Sequence, residues 1–129
     1  MVAPDDPSLI EQTEDRICAA IAGRRLITFL LRGLRRIAEP HDYGIIGGSK
    51  RLFFYQVGGE SRSGSPVGWR WADLSVVSHL EMLERVFPGP RATHTGRHMR
   101  WDRLIATVSP RPITPRLRLV RGSSRGAPR

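Results

Sequence analysis

The sequence has a single cysteine, Cys18, and a single lysine, Lys50, in 129 residues. One thiol excludes an intramolecular disulfide and any zinc site built on cysteines, and it fits a reducing compartment. Long apolar runs are missing too. No stretch approaches the ~18 apolar residues that cross a bilayer, and a start containing Pro4, Asp5, Asp6 and Pro7 is the opposite of a signal peptide. The expectation is a cytoplasmic protein with no membrane association.

Acidic residues are scarce in one region. Residues 91–129 carry ten Arg against Asp102 alone, whereas residues 1–90 carry ten Arg and Lys50 against eleven acids. The formal charge of +9 therefore belongs to the last third of the chain and not to a folded body. Such an end is either an arm that neutralises phosphates or a solvated extension from an Arg-rich background. At 40% apolar residues there is material for one modest core, and a chain of this length is one domain.

From Pro7 to Ala22, Leu9, Ile10, Thr13, Ile17, Ala20 and Ile21 recur at spacings of three and four and predict a helix. Asp6 before Pro7 is an N-cap signal, Ser8 with Glu11 a capping-box signal, and Gly23 a stop. Cys18 falls on or beside the apolar face, where a small buried thiol is the plain reading. Short β-type runs follow. They predict strands at Leu26–Leu31 and Arg35–Glu39, a stop at Pro40, a loop or loose hairpin over His41–Lys50, and the strongest strand, Arg51–Val57. After the turn-rich stretch Gly58–Gly68 come a strand at Trp69–Ala72, a turn within Asp73–Ser78, an element at His79–Val86 that suits strand or helix, and a last strand at Arg103–Val108. The organisation expected is a helix over residues 1–24, a β domain over 25–108 and a basic, disordered tail over 109–129.

The order of helix, I-T-F-L-L-R-G with a basic return strand, A-E-P-H-D-Y-G, L-F-F-Y-Q, G-W-R-W-A-D-L and L-E-M-L-E-R-V-F resembles compact members of the WYL-domain family across residues 10–90. Leu52, Phe53 and Phe54 stand where the family's named triplet would fall, and a DNA-binding helix-turn-helix is not expected ahead of the domain. The resemblance implies a mainly β fold with an N-terminal helix, a small SH3-like or Sm-like β-barrel. It also implies a ligand- or nucleic-acid-sensing module of the kind found in bacterial transcriptional regulators, and it favours strand over helix at His79–Val86.

Two constellations could carry binding. Arg35, Arg36, His41, Tyr43, Arg51, Tyr55, Arg70 and Trp71 on adjacent strands would pair phosphates and stack bases, the means by which proteins hold nucleotides and single strands. Alternation puts Arg51, Phe53 and Tyr55 on one face and Leu52, Phe54 and Gln56 on the other, although strand aromatics are commonly core. Arg62, between Ser61 and Ser63, gives Gly58–Gly68 the donors of an anion cradle, or else the loop simply connects a hairpin. His94 and His98 in a polar loop, with no His-Glu-x-x-His pattern, do not predict a metal site. No nucleophile elbow or paired carboxylates predict catalysis, and no cofactor is expected. The function expected is non-enzymatic binding of a nucleotide-like ligand or single-stranded nucleic acid. The alternative is a protein partner held by the barrel face or the basic arm, with a small enzyme third.

Overall fold

The computed structural model describes residues 7–60, 66–91 and 100–110. Helix α1, Pro7–Gly23, turns its apolar stripe inward, and Ile17, Ala20 and Ile21 are buried. Arg24, with φ of 53°, swings the chain directly into the first strand. Among the described residues six strands follow: β1 Arg25–Leu31, β2 Leu34–Ile46, β3 Ser49–Gly59, β4 Gly68–Asp73, β5 Val77–Val86 and β6 Arg103–Thr107. A 3-10 turn over Leu74–Val76 joins β4 to β5, with the Asp73 carboxylate accepting from the Ser75 backbone N–H at 3.0 Å.

The antiparallel sheet runs β4-β3-β2-β1-β5, and β6 joins it on β2. Strand β2 is divided between neighbours: Leu34–Ala38 pair with β1, whereas Asp42–Ile45 pair with β6. Its other edge pairs with β3 along nearly its whole length. The result is a mainly β fold with one N-terminal helix and a small, barrel-like antiparallel sheet that is not closed between β4 and β5 among the described residues. Two-residue turns with positive φ at both positions, Arg32-Gly33 and Gly47-Gly48, match the twist of the β1–β2 and β2–β3 hairpins.

Two sequence expectations are corrected here. Pro40 does not stop β2, and His41–Ile46 is strand, so that the loop shrinks to Gly47-Gly48. Proline lacks the N–H that a central strand normally donates. Pro40 is tolerated because it lies where β2 passes from β1 to β6, beside a register shift between Pro40 and Asp42 in the β3 ladder. At 77–86 the strand reading holds. The Asp6 cap, Arg62, His94, His98 and the tail from Arg111 lie outside the described residues.

The inner layer holds Ile27, Phe29, Ala38, Leu52, Phe54, Ala72 and Leu80 against the helix residues Ile17, Ala20 and Ile21. The Phe29 and Phe54 rings meet edge to face at 5.2 Å between centroids. Cys18 is partly buried against this core, and burial first, then Glu14 and Asp15, pushes its thiol pKa up. No helix among the described residues is long and apolar enough to cross a membrane.

Candidate ligand-binding face

A second, aromatic layer lies on the opposite side of β2, β3 and β4. The β3–β4 register sets Phe53 opposite Trp71 and Tyr55 opposite Trp69, and the two-residue period of each strand places these four rings on one face. Phe53, 3% exposed, is sandwiched: its ring stacks on Trp69 at 4.7 Å and on Trp71 at 4.2 Å between centroids. Tyr55 meets Trp69 edge to face at 5.2 Å, and Trp101, just before β6, lies 5.9 Å from Trp71. Phe53 is the buried floor, while Tyr55, Trp69, Trp71 and Trp101 each keep part of their surface in solvent.

The chain beyond β5 closes one side of this layer. Arg91 donates to both carboxylate oxygens of Glu39, at 2.8 and 3.0 Å, and its guanidinium carbon lies 3.8 Å from the centre of the Tyr55 ring. Glu39 is almost buried, and its hydrogen bonds hold the Arg91 guanidinium pKa above the ordinary value. His41, two residues after Glu39 and so on the same side of β2, packs between Trp69 and Phe87 with centroids 4.8 and 5.5 Å away. One ring nitrogen of His41 lies 2.9 Å from the Glu39 carbonyl oxygen, and the other faces the Arg91 backbone N–H at 3.3 Å. That pattern suits a neutral imidazole donating from Nδ1 and accepting at Nε2.

On the far side, Trp101 presses against Gly44. A Cβ at position 44 would lie 2.4 Å from the Arg103 carbonyl oxygen and 2.6 Å from the Trp101 ring, so only glycine lets β6 and the indole approach β2 this closely. Asp102 anchors the same corner, accepting from the Gly47 N–H at 2.7 Å.

The nine residues singled out from the sequence do not share this surface. Tyr55 and Trp71 belong to it, and Arg51 stands on the same side opposite Asp73, whose carboxyl pKa is lowered by the Ser75 backbone first and by Arg51 among smaller causes. His41 lies beneath the layer, fully buried. Arg35 is exposed on the outer side of the β1–β2 ladder, where its guanidinium donates to Thr28 Oγ1 at 3.1 Å. Arg36, 6% exposed, turns inward and donates to Gln56 Oε1 at 3.1 Å. Arg70 is opposite Phe54, on the core side of the sheet. Tyr43 is wholly buried, and its hydroxyl donates to Glu14 Oε2 at 2.7 Å. Arg62 is not among the described residues.

Sequence reasoning missed Phe53 as a floor and Trp69, Arg91 and Trp101 as walls. The paired spacing of Phe53 and Tyr55 with Trp69 and Trp71 was a usable signal, since any in-register hairpin of these strands brings the four together. Nothing local marks Arg91, which arrives through the Pro88-Gly89-Pro90 turn. Among the described residues, no three His, Cys, Asp or Glu side chains gather where they would hold a metal ion. Compared with protein-family models, curated proteins and solved structures, the chain matches none of them.

Proposed function

We propose that this protein is a non-enzymatic, WYL-like binding module of the cytoplasm that takes a nucleotide-like ligand or single-stranded nucleic acid on its aromatic face in a regulatory role. The observation that supports this reading is the row of Tyr55, Trp69, Trp71 and Trp101, partly exposed over a buried Phe53 floor. Each base stacked on such a ring contributes ~1–3 kcal/mol with little dependence on sequence. Arg91 is already paired with Glu39, and Arg51 stands opposite the acidic Asp73, so stacking supplies most of the affinity on this face. Salt dependence then comes mainly from the Arg-rich end of the chain.

Titration of tryptophan fluorescence with nucleotides and short single strands, at low and high salt, tests the proposal. Saturable quenching that is weakened in Trp71→Leu is the expected outcome. No response at low salt refutes it.

A protein partner is the second reading, favoured by β6. This short strand pairs only with β2 among the described residues and leaves Leu104 and Ile105 47% and 37% exposed. An open strand edge with apolar side chains is suited to receiving an extended segment of another chain. Removal of residues 109–129 separates the two readings, because loss of all nucleic-acid affinity would assign it to the tail and leave the barrel for a protein.

A further inference from the structure

A cavity of about 330 Å³ lies between α1 and β5, away from the aromatic face. That volume is at the small end of the range for small-molecule sites. Leu9 and Ile10 from the helix, and Leu74, Val77 and Leu80 from the chain around the 3-10 turn, form its apolar wall. Thr13, Arg16, Ser78 and His79 form its polar rim. No carboxylate lines it among the described residues, so the Arg16 charge is not cancelled within the cavity.

The backbone at the rim is unusual in the same place. Between Leu30↔Ser78 and Thr28↔Glu81, β5 spends one more residue than β1, and within that bulge His79 has φ of 53°. Bulges re-aim side chains, and a left-handed non-glycine residue within one is a pointer to function. His79 is exposed on the ridge between this cavity and a smaller hollow bounded by Arg35 and Glu81. Arg16 is steered by one hydrogen bond from Nη1 to the Leu80 carbonyl oxygen, at 3.2 Å, which leaves its other N–H groups for a ligand. The side chains of Ser78 and His79 make no hydrogen bond within the described residues.

We propose that this cavity binds a small amphiphilic carboxylate, its apolar body against the Leu and Val wall and its carboxylate on Arg16, with Ser78 and His79 as further donors. An apolar wall selects against a fully hydrophilic anion, and a single unopposed guanidinium selects against a neutral apolar molecule. The site is separate from the aromatic face, so either proposal can fail without the other.

The test is titration of the isotope-labelled full chain with sodium octanoate and, separately, with neutral 1-octanol, read by amide NMR shifts. Octanoate is expected to give saturable shifts confined to residues 9–16 and 74–80, with octanol binding at least about tenfold more weakly. Arg16→Gln is expected to remove that preference at little cost to the fold, because the side chain is exposed. His79→Gly suits the left-handed backbone and is expected to keep the fold while weakening octanoate. The proposal is overturned if no saturable shifts occur in these segments, if octanoate and octanol bind equally, or if Arg16→Gln binds octanoate as the unsubstituted protein does.

Discussion

Arg91 sets its guanidinium carbon over the Tyr55 ring while gripping Glu39, so one guanidinium ties the segment after β5 to both β2 and β3. Arg91→Met removes the partner of an almost buried carboxylate. Because the Arg91 side chain is 39% exposed, solvent moderates the loss, and a destabilisation of about 1–2 kcal/mol is expected in urea unfolding. Glu39→Gln combined with Arg91→Met should cost less than the sum of the two single changes.

Tyr43 gives an alkaline signature. Burial first, and then its bond to Glu14, push the phenol pKa well above the ordinary value near 10. A phenol held neutral in the folded chain contributes stability that is complete below that ordinary value. The contribution falls as pH rises past it, because only the unfolded chain then ionises. Tyr43→Phe should cost about 1 kcal/mol at neutral pH. The difference between the two proteins should narrow as pH rises above about 10.

Asp73 behaves in the opposite sense. Its carboxyl pKa is lowered chiefly by the Ser75 backbone N–H, so its contribution is present above the ordinary carboxyl value and is lost as pH falls through the folded one. Asp73→Ala is expected to cost about 0.5–1 kcal/mol near pH 7. In acid unfolding curves that cost should shrink below about pH 4.

At Gly44 the expected effect is steric. Gly44→Ala forces both the Trp101 ring and the Arg103 backbone outward, costing about 1–3 kcal/mol. Tryptophan emission should move to longer wavelength as the indole leaves its contact with Trp71 and meets water.

The helix and most strands are legible in the sequence because their periods and stop signals agree: Gly23 closes α1, and Gly47-Gly48 can only be a turn. Alternation in Arg51–Val57 likewise predicts which side Phe53 and Tyr55 occupy. Pro40 misleads because its local rule assumes a hydrogen-bonding neighbour on both edges, and the division of β2 between β1 and β6 is a long-range fact. The candidate site divides in the same way. Tyr43 and Arg36 read as surface groups from type alone, yet Glu14 and Gln56, distant in sequence, give them partners inside the fold. Arg91 reaches Tyr55 by a crossing that no short pattern encodes.

The division of β2 also sets an order of assembly. Strands β1 to β4 follow one another along the chain with short hairpins at β1–β2 and β2–β3, whereas β6 returns to β2 from about sixty residues away. Closing the longer loop costs more chain entropy before any contact offsets it. The β2–β3 ladder is therefore expected to form first and β6 to dock last. In native-state hydrogen exchange, the β6 amides should open in a smaller unit than those of β3. That opening would bare the half of β2 centred on Gly44 and release Trp101 while the rest of the sheet stays folded.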